Sequence, residues 1–299
     1  MRTARLAWMA LLVALAVWLV ATRWSAMADL VADARPGPLL VVLAGSCLLL
    51  VPNSLFWSLT LRSLGEDVAT GTVLNASART LLARYLPGGV WYAAGRSVLL
   101  AGRGVRPSAL VAVSGMELGL GPPAGLVIGG ALLAGSTDMP AWLPWSGAAL
   151  LLAAVLVGRP ILNRVLAWWA RRRGQAPPGP LTTRTLAGLL GVMATYWLLM
   201  GTVFWAYLRA MGASPLPGSG GHADLAWAEA SGAFLVSWGA GFYALFAPQG
   251  VGVSEVGFLA IVGWGTDAVL LVAGFRLLLL ARDLVLTGVG EALARRSAR

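Results

Sequence analysis

The sequence predicts an all-α polytopic membrane protein, with about six full transmembrane helices plus two re-entrant helical hairpins in an inverted repeat, or with eight crossings. Three observations carry this expectation. The 299 residues are 58% hydrophobic and only 11% charged, and they contain repeated apolar runs near the ~20 residues that a crossing requires. Arginines gather between the runs on what reads as one side of the membrane. Two of the apolar stretches are broken in the middle by the same short motif, Pro-x-Gly-Val, at Pro87 and Pro248.

The runs are 6–22, 39–61, 107–134, 143–157, 186–208, 225–246 and 268–289. No soluble stretch is long enough to bury a core of its own, so 1–299 reads as one transmembrane domain with repeat-like halves 39–134 and 186–289. The first run follows a basic start and ends in small residues, as a secretory signal does. In a polytopic chain it is expected to stay as an uncleaved first helix.

Orientation follows from the arginines, which account for all 22 basic residues and for the formal charge of +10. Arg2 and Arg5 precede the first helix; Arg159, Arg164, Arg171, Arg172, Arg173 and Arg184 crowd the central loop; Arg295, Arg296 and Arg299 close the chain. These regions are expected on the cytoplasmic side of the inner membrane, both termini included, where the excess charge suits topology and anionic lipid rather than nucleic acid. The stretches 135–142 and 211–229 lack arginine and are expected outside.

With these marks fixed, 67–102 must enter and leave on the cytoplasmic side and 225–265 on the outer side. Proline removes a backbone donor and clashes with the preceding turn, yet it suits the first turn of a new helix. Each Pro-x-Gly-Val therefore ends one half-helix and starts another, and the two groups, of opposite orientation, form an inverted repeat of the kind that places substrate near the midplane. Eight ordinary crossings with kinks satisfy the same parity.

Ionisable groups inside apolar runs cost roughly 2.5–3.5 kcal/mol each on insertion scales, which makes them functional candidates. Arg84 and Arg96 flank the first break. Their planar guanidiniums match paired phosphate oxygens, and the restarting helix at Pro87 and Gly88 offers free N–H groups. Snorkelling to the headgroups is the alternative for both. Glu255 follows the second break and needs a cation, Arg96 or Arg276. Glu117 sits where Gly119, Gly121 and Pro122-Pro123 weaken the helix, as a proton relay, a lock for Arg84 or a structural group. Arg282-Asp283 reads as an interfacial pair near the cytoplasmic end. Trp91 and Tyr92 either stack on a lipid carrier or belong to an interfacial belt. Cys47, the single cysteine, reads as a small core residue.

Catalytic and metal-binding patterns are missing: one histidine, in an outer stretch, and no HExxH, Walker, GxSxG or clustered-ligand motif. The expectation is a non-enzyme with no cofactor and no metal.

The stretches "RYLPGGVWYAAGR" and "APQGVGVSE" resemble the two signature regions of the flippase-like membrane family that includes the transmembrane region of lysylphosphatidylglycerol synthases and related stand-alone membrane proteins. The likeness runs over essentially the whole chain. It implies translocation of an anionic lipid, such as an aminoacylated phosphatidylglycerol or a polyprenyl-phosphate-linked glycolipid, across the cytoplasmic membrane. The residues it carries over are Arg84, Pro87, Gly88, Trp91, Gly95 and Arg96, then Pro248, Gly250, Gly252 and Glu255. The chain departs from the family at Gln249, Ser254 and Leu118. The alternative is a nonenzymatic membrane partner that binds a polyprenyl-phosphate intermediate or scaffolds a glycosyltransferase or lipid-modifying enzyme. The substrate-facing set expected is Arg84, Pro87, Gly88, Trp91, Tyr92, Arg96, Glu117, Pro248, Gly250, Gly252, Glu255 and Arg276. Arg96→Ala is expected to abolish transport without loss of expression.

Overall fold

The computed structural model describes residues 34–86, 90–134, 142–153, 156–157, 159–172, 174, 179–212, 226–244, 250–263 and 266–297. The expected first helix at 6–22, the two breaks with Pro87, Gly88 and Pro248, and most of the expected outer stretches lie outside the described residues. Among the described residues all regular structure is helical.

The elements are α1 (Pro36–Cys47), α2 (Leu50–Ser63), α3 (Thr70–Arg79), a 3-10 turn (Leu81–Tyr85), α4 (Trp91–Ala101), α5 (Pro107–Leu133), α6 (Trp142–Ala153), α7 (Arg159–Arg172), α8 (Thr183–Ala210), α9 (Trp227–Phe242), α10 (Val253–Val262) and α11 (Thr266–Ser297). Three helical stretches among the described residues are long and apolar enough to cross a membrane: Pro36–Ser63, in which α1 runs into α2, then α5 and α8. Helix α11 is longer still, but Arg276, Arg282 and Asp283 lie within it. Its composition alone therefore does not mark a span.

Local chemistry sets the helix starts. Pro36 and Pro107 occupy first-turn positions of α1 and α5, where a missing N–H costs nothing. Thr182 caps α8 by accepting the Thr185 N–H at 3.1 Å, satisfying one of the orphan donors of the first turn. Within α5, Pro122 and Pro123 strip the donors that would serve the carbonyls of Leu118 and Gly119, yet the helix continues for 27 residues. Trp197 of α8 braces this weak stretch: its indole N–H donates to the Gly121 carbonyl at 2.7 Å. Gly125 makes room for the ring, since a Cβ there would stand 2.9 Å from it.

Packing between helices relies on close backbone approach and on aromatic contact, as it must where lipid competes equally for apolar side chains. At the α5–α9 crossing, a Cβ on Gly129 would lie 2.9 Å from the Gly232 carbonyl oxygen, and one on Gly232 would lie 2.8 Å from that of Gly129. Phe204, Phe234, Phe258 and Phe275, one from each of α8 to α11, form a buried ring cluster, with Phe204 stacked on Phe234 at 4.1 Å and set edge-on to Phe275 at 5.1 Å.

The neighbour relations of the two halves correspond. Helices α2, α3, α4 and α5 touch in chain order, as do α8, α9, α10 and α11. Across the halves the exchange is reciprocal: α3 packs on α11 and α9 on α5, α1 packs on α11 and α8 on α5, and α2 meets α8.

Candidate functional site

Seven charged side chains gather inside this bundle in three groups, joined by helices α4 and α11. In the first group, Arg96 of α4 is fully enclosed. Its Nη2 donates to Glu117 Oε2 of α5 at 2.5 Å and its Nη1 to Asn53 Oδ1 of α2 at 2.8 Å. Asn53 Nδ2 and Trp57 Nε1 complete the carboxylate, donating to Glu117 Oε1 at 2.9 Å and Oε2 at 3.0 Å. The guanidinium plane is sandwiched between the Trp57 and Tyr92 rings, 4.0 and 3.9 Å from their centroids, and the Tyr92 hydroxyl donates to Asn53 Oδ1 at 3.0 Å. A buried pair is tolerable only when both partners find such additional hydrogen bonds. Arg96 and Glu117 therefore neutralise each other, the guanidinium fully enclosed by the two rings and the carboxylate mostly so.

The second group lies on the other face of Tyr92. Arg84, from the 3-10 turn just before the first break, stands over the same ring at 4.6 Å and pairs with Asp283 Oδ2 of α11 at 3.7 Å. Tyr85 donates its hydroxyl to that oxygen at 3.0 Å. Arg282 binds the opposite oxygen through Nε at 2.8 Å and Nη2 at 2.5 Å. Asp283 is 0% exposed and Arg282 3%, so this is no exposed surface pair. The sequence reading of these two residues is corrected, because α11 runs to Ser297 and its packing against α1 and the 3-10 turn buries the pair. Two guanidiniums here face one carboxylate, and the Arg84 Nε is buried without a hydrogen-bond partner. Asn53, Arg84, Tyr92, Tyr196 and Arg282 line a cavity of about 10 Å³, room for one water molecule.

The third group sits at the second break. Arg276 Nε pairs with Glu255 Oε1 at 2.6 Å, and Arg276 Nη2 donates to Ser254 Oγ at 2.5 Å. The other Glu255 oxygen accepts the Gly252 N–H at 2.7 Å, holding the first turn of α10, as a carboxylate at a helix start should. Trp238 of α9 covers the guanidinium at 4.6 Å. Arg276 and Asp283 are seven residues apart on α11, about 10 Å along one face. One helix thus carries the partners of both broken segments.

Of the residues singled out in the sequence, Arg84, Tyr92, Arg96 and Glu117 come together around the first break, and Gly250, Gly252, Glu255 and Arg276 around the second. Glu255 takes Arg276 rather than Arg96. Glu117 holds Arg96 and not Arg84. Trp91 starts α4 with its side chain exposed, beside exposed Leu86 and Val90. Asn53, Trp57 and Tyr85 carry bonds that the sequence reading missed; Asn53 was visible as an amide in an otherwise apolar run. Gly95 lets α4 lie against α3, since a Cβ would come within 3.1 Å of Thr80. Among the described residues no three of His, Cys, Asp and Glu converge on a metal site.

Compared with known proteins, the chain matches no family model, and a search of curated proteins finds no relative.

Proposed function

We propose that the chain is a lipid flippase or transporter that moves an anionic lipid, bearing a phosphate or a polyprenyl-phosphate-linked headgroup, across the cytoplasmic membrane. The observation that carries this reading is the surplus positive charge beside the first break, where half-buried Arg84 and buried Arg282 share the buried Asp283. A cation kept inside an apolar helical body costs too much to persist without a counter-charge, and a phosphate headgroup supplies one with matching geometry.

The architecture supports it. Helices α3, α4 and α10 hold 10, 11 and 10 residues, roughly 15 Å each, half of a ~30 Å hydrocarbon core. Re-entrant hairpins account for such lengths. The reciprocal contacts of the halves fit two repeats related by a twofold axis, and the ion pairs follow that relation: Glu117 lies ten residues after Pro107 at the start of α5, Arg276 ten after Thr266 at the start of α11. Each meets an opposite charge on the preceding half-helix. The signs are exchanged between halves, so the site is chemically asymmetric.

Purified protein in liposomes should equilibrate a fluorescent anionic phospholipid between leaflets. Arg84→Gln should slow this by about tenfold or more, the worth of a charge-assisted contact. Full-rate transport by Arg84→Gln would remove the site; no transport by the wild type, with copurification of a glycosyltransferase, would favour a binding partner instead. The hairpins have a separate test. In a Cys47→Ser background, Gly88→Cys and Gln249→Cys should react slowly with an impermeant thiol reagent, or from opposite sides. Loop-like labelling of Gly88→Cys from outside would indicate two full crossings.

A further inference from the structure

We propose that Asp283 sets the charge of the headgroup that this site accepts, and that the site selects a monoanionic phosphodiester over a dianionic phosphomonoester. The inference rests on the lipid-transport reading for its occupant and goes beyond it in naming the ligand's charge and the residue that decides it.

The charges balance in one group and not in the other. Arg96 and Glu117 cancel, enclosed with Trp57, Tyr92 and Asn53. On the other side of Tyr92, Arg84 and Arg282 contribute two positive charges and Asp283 one negative, leaving one. Among the described residues no second carboxylate bonds either arginine. The remaining polar groups that face the cavity, Asn53, Tyr92 and Tyr196, are neutral donors and acceptors, and the rest of the wall is leucine. A ligand with one negative charge brings the enclosure to neutrality. A ligand with two leaves a net negative charge in a low-dielectric interior, where the cost of an unmatched ion is highest.

Geometry indicates which bonds are exchanged. The cavity holds only about one water volume as it stands, so an entering phosphate has to take the place of an existing contact. The weakest is the Arg84–Asp283 approach at 3.7 Å. Arg84 sits next to the break and already has an unpartnered Nε, whereas Arg282 holds Asp283 at two positions from the neighbouring residue of the same helix. Arg84 is therefore the arm that moves onto the ligand and Arg282 the fixed one. Exposed Leu86, Val90 and Trp91 flank the break in sequence, apolar side chains available to a lipid whose headgroup is bound at Arg84.

The test uses the full chain in nanodiscs and measures displacement of a fluorescent phosphatidylglycerol by unlabelled phosphatidylglycerol, by phosphatidic acid at alkaline pH and by inorganic phosphate. Wild type should prefer the diester by about tenfold, the effect of one poorly matched charge. Asp283→Asn, which raises the surplus from one charge to two, should reverse that order. Arg84→Gln, which lowers it to zero, should weaken binding of both lipids by about tenfold. An excess of inorganic phosphate should leave the fluorescent lipid bound; displacement by it would overturn a lipid headgroup as the ligand. Equal affinity for both lipids in wild type, or an unchanged diester preference in Asp283→Asn, would overturn the proposal. Should Asp283→Asn fail to run as a monodisperse protein, Arg84→Gln and the wild-type preference decide alone. Transport without charge preference would leave the flippase reading standing and remove this one; selective binding without transport would do the reverse.

Discussion

Glu117→Ala is expected to destabilise the chain by about 3–5 kcal/mol, among the largest effects of any single substitution, because it strands a charge that has no other exit. Arg96 is fully enclosed between two rings, so it can neither snorkel nor reach water. Its other bond, to Asn53 Oδ1, is to a neutral amide and does not compensate the charge. Removal of the carboxylate also deprives the Trp57 indole and the Asn53 amide of their acceptor, each a buried donor left unmade. Arg96→Ala should be nearly as costly and should reduce folded yield, in contrast to the expectation, drawn from sequence, of lost transport with normal expression. The double variant Arg96→Met, Glu117→Leu removes both charges and should recover much of the loss. Unfolding in mixed micelles by titrated dodecyl sulfate compares wild type, the Arg96→Met and Glu117→Leu singles and their double variant as a cycle. Additive single effects, or a Glu117→Ala variant that unfolds with the wild type, would show that the pair is not closed as described.

The gap between those two expectations for Arg96 shows what a sequence does and does not expose. Hydropathy locates the long helices well: the expected 39–61, 107–134, 186–208 and 268–289 correspond to α1–α2, α5, α8 and α11, because length and apolar content are local properties. Breaker residues likewise anticipate that helices stop before Pro87 and Pro248. Charge partnership is not local. That Arg84, Arg96, Glu117, Glu255 and Arg276 need partners follows from their position in apolar runs, but the pairing depends on which helices touch. Glu117 lies on α5 next to α4, so it meets Arg96; Arg84 is turned toward α11 and meets Asp283. Counted from the chain's end, the Arg282-Asp283 pair reads as interfacial; it is buried because α1 and the 3-10 turn cover that part of α11. Asn53 illustrates the other kind of miss. An amide carries no formal charge and attracts no attention in a hydropathy scan, yet it ties α2, α4 and α5 together through three hydrogen bonds.

Gly250→Ala should abolish the folded second site, with an expected cost above about 4 kcal/mol, where single substitutions become exceptional. Two separate penalties coincide at this position. The residue has φ +68°, a left-handed conformation that costs a side-chain-bearing residue about 1–2 kcal/mol. A Cβ there would also overlap the backbone of Gly241, at the end of α9, and rigid backbone cannot yield as a flexible side chain does. Gly252 separates the two contributions. Its φ is also positive, +88° with ψ −45°, a conformation relaxed only for glycine, and nothing lies within 4 Å of its would-be Cβ, so Gly252→Ala should show a conformational penalty with no overlap. Gly241→Ala tests the contact from the opposite side with helical φ; its Cβ would meet Ser254 at 3.2 Å and the Gly250 carbonyl at 3.3 Å, a smaller overlap. The expected order of loss in thermal stability is Gly250→Ala well ahead of Gly252→Ala and Gly241→Ala. Were Gly250→Ala no worse than Gly252→Ala, the chain would not cross itself here. The crossing matters because Gly250 and Gly252 deliver the start of α10, and with it Ser254 and Glu255, to Arg276. A shift of that turn by even 1 Å would exchange a bonded ion pair for two unmatched charges.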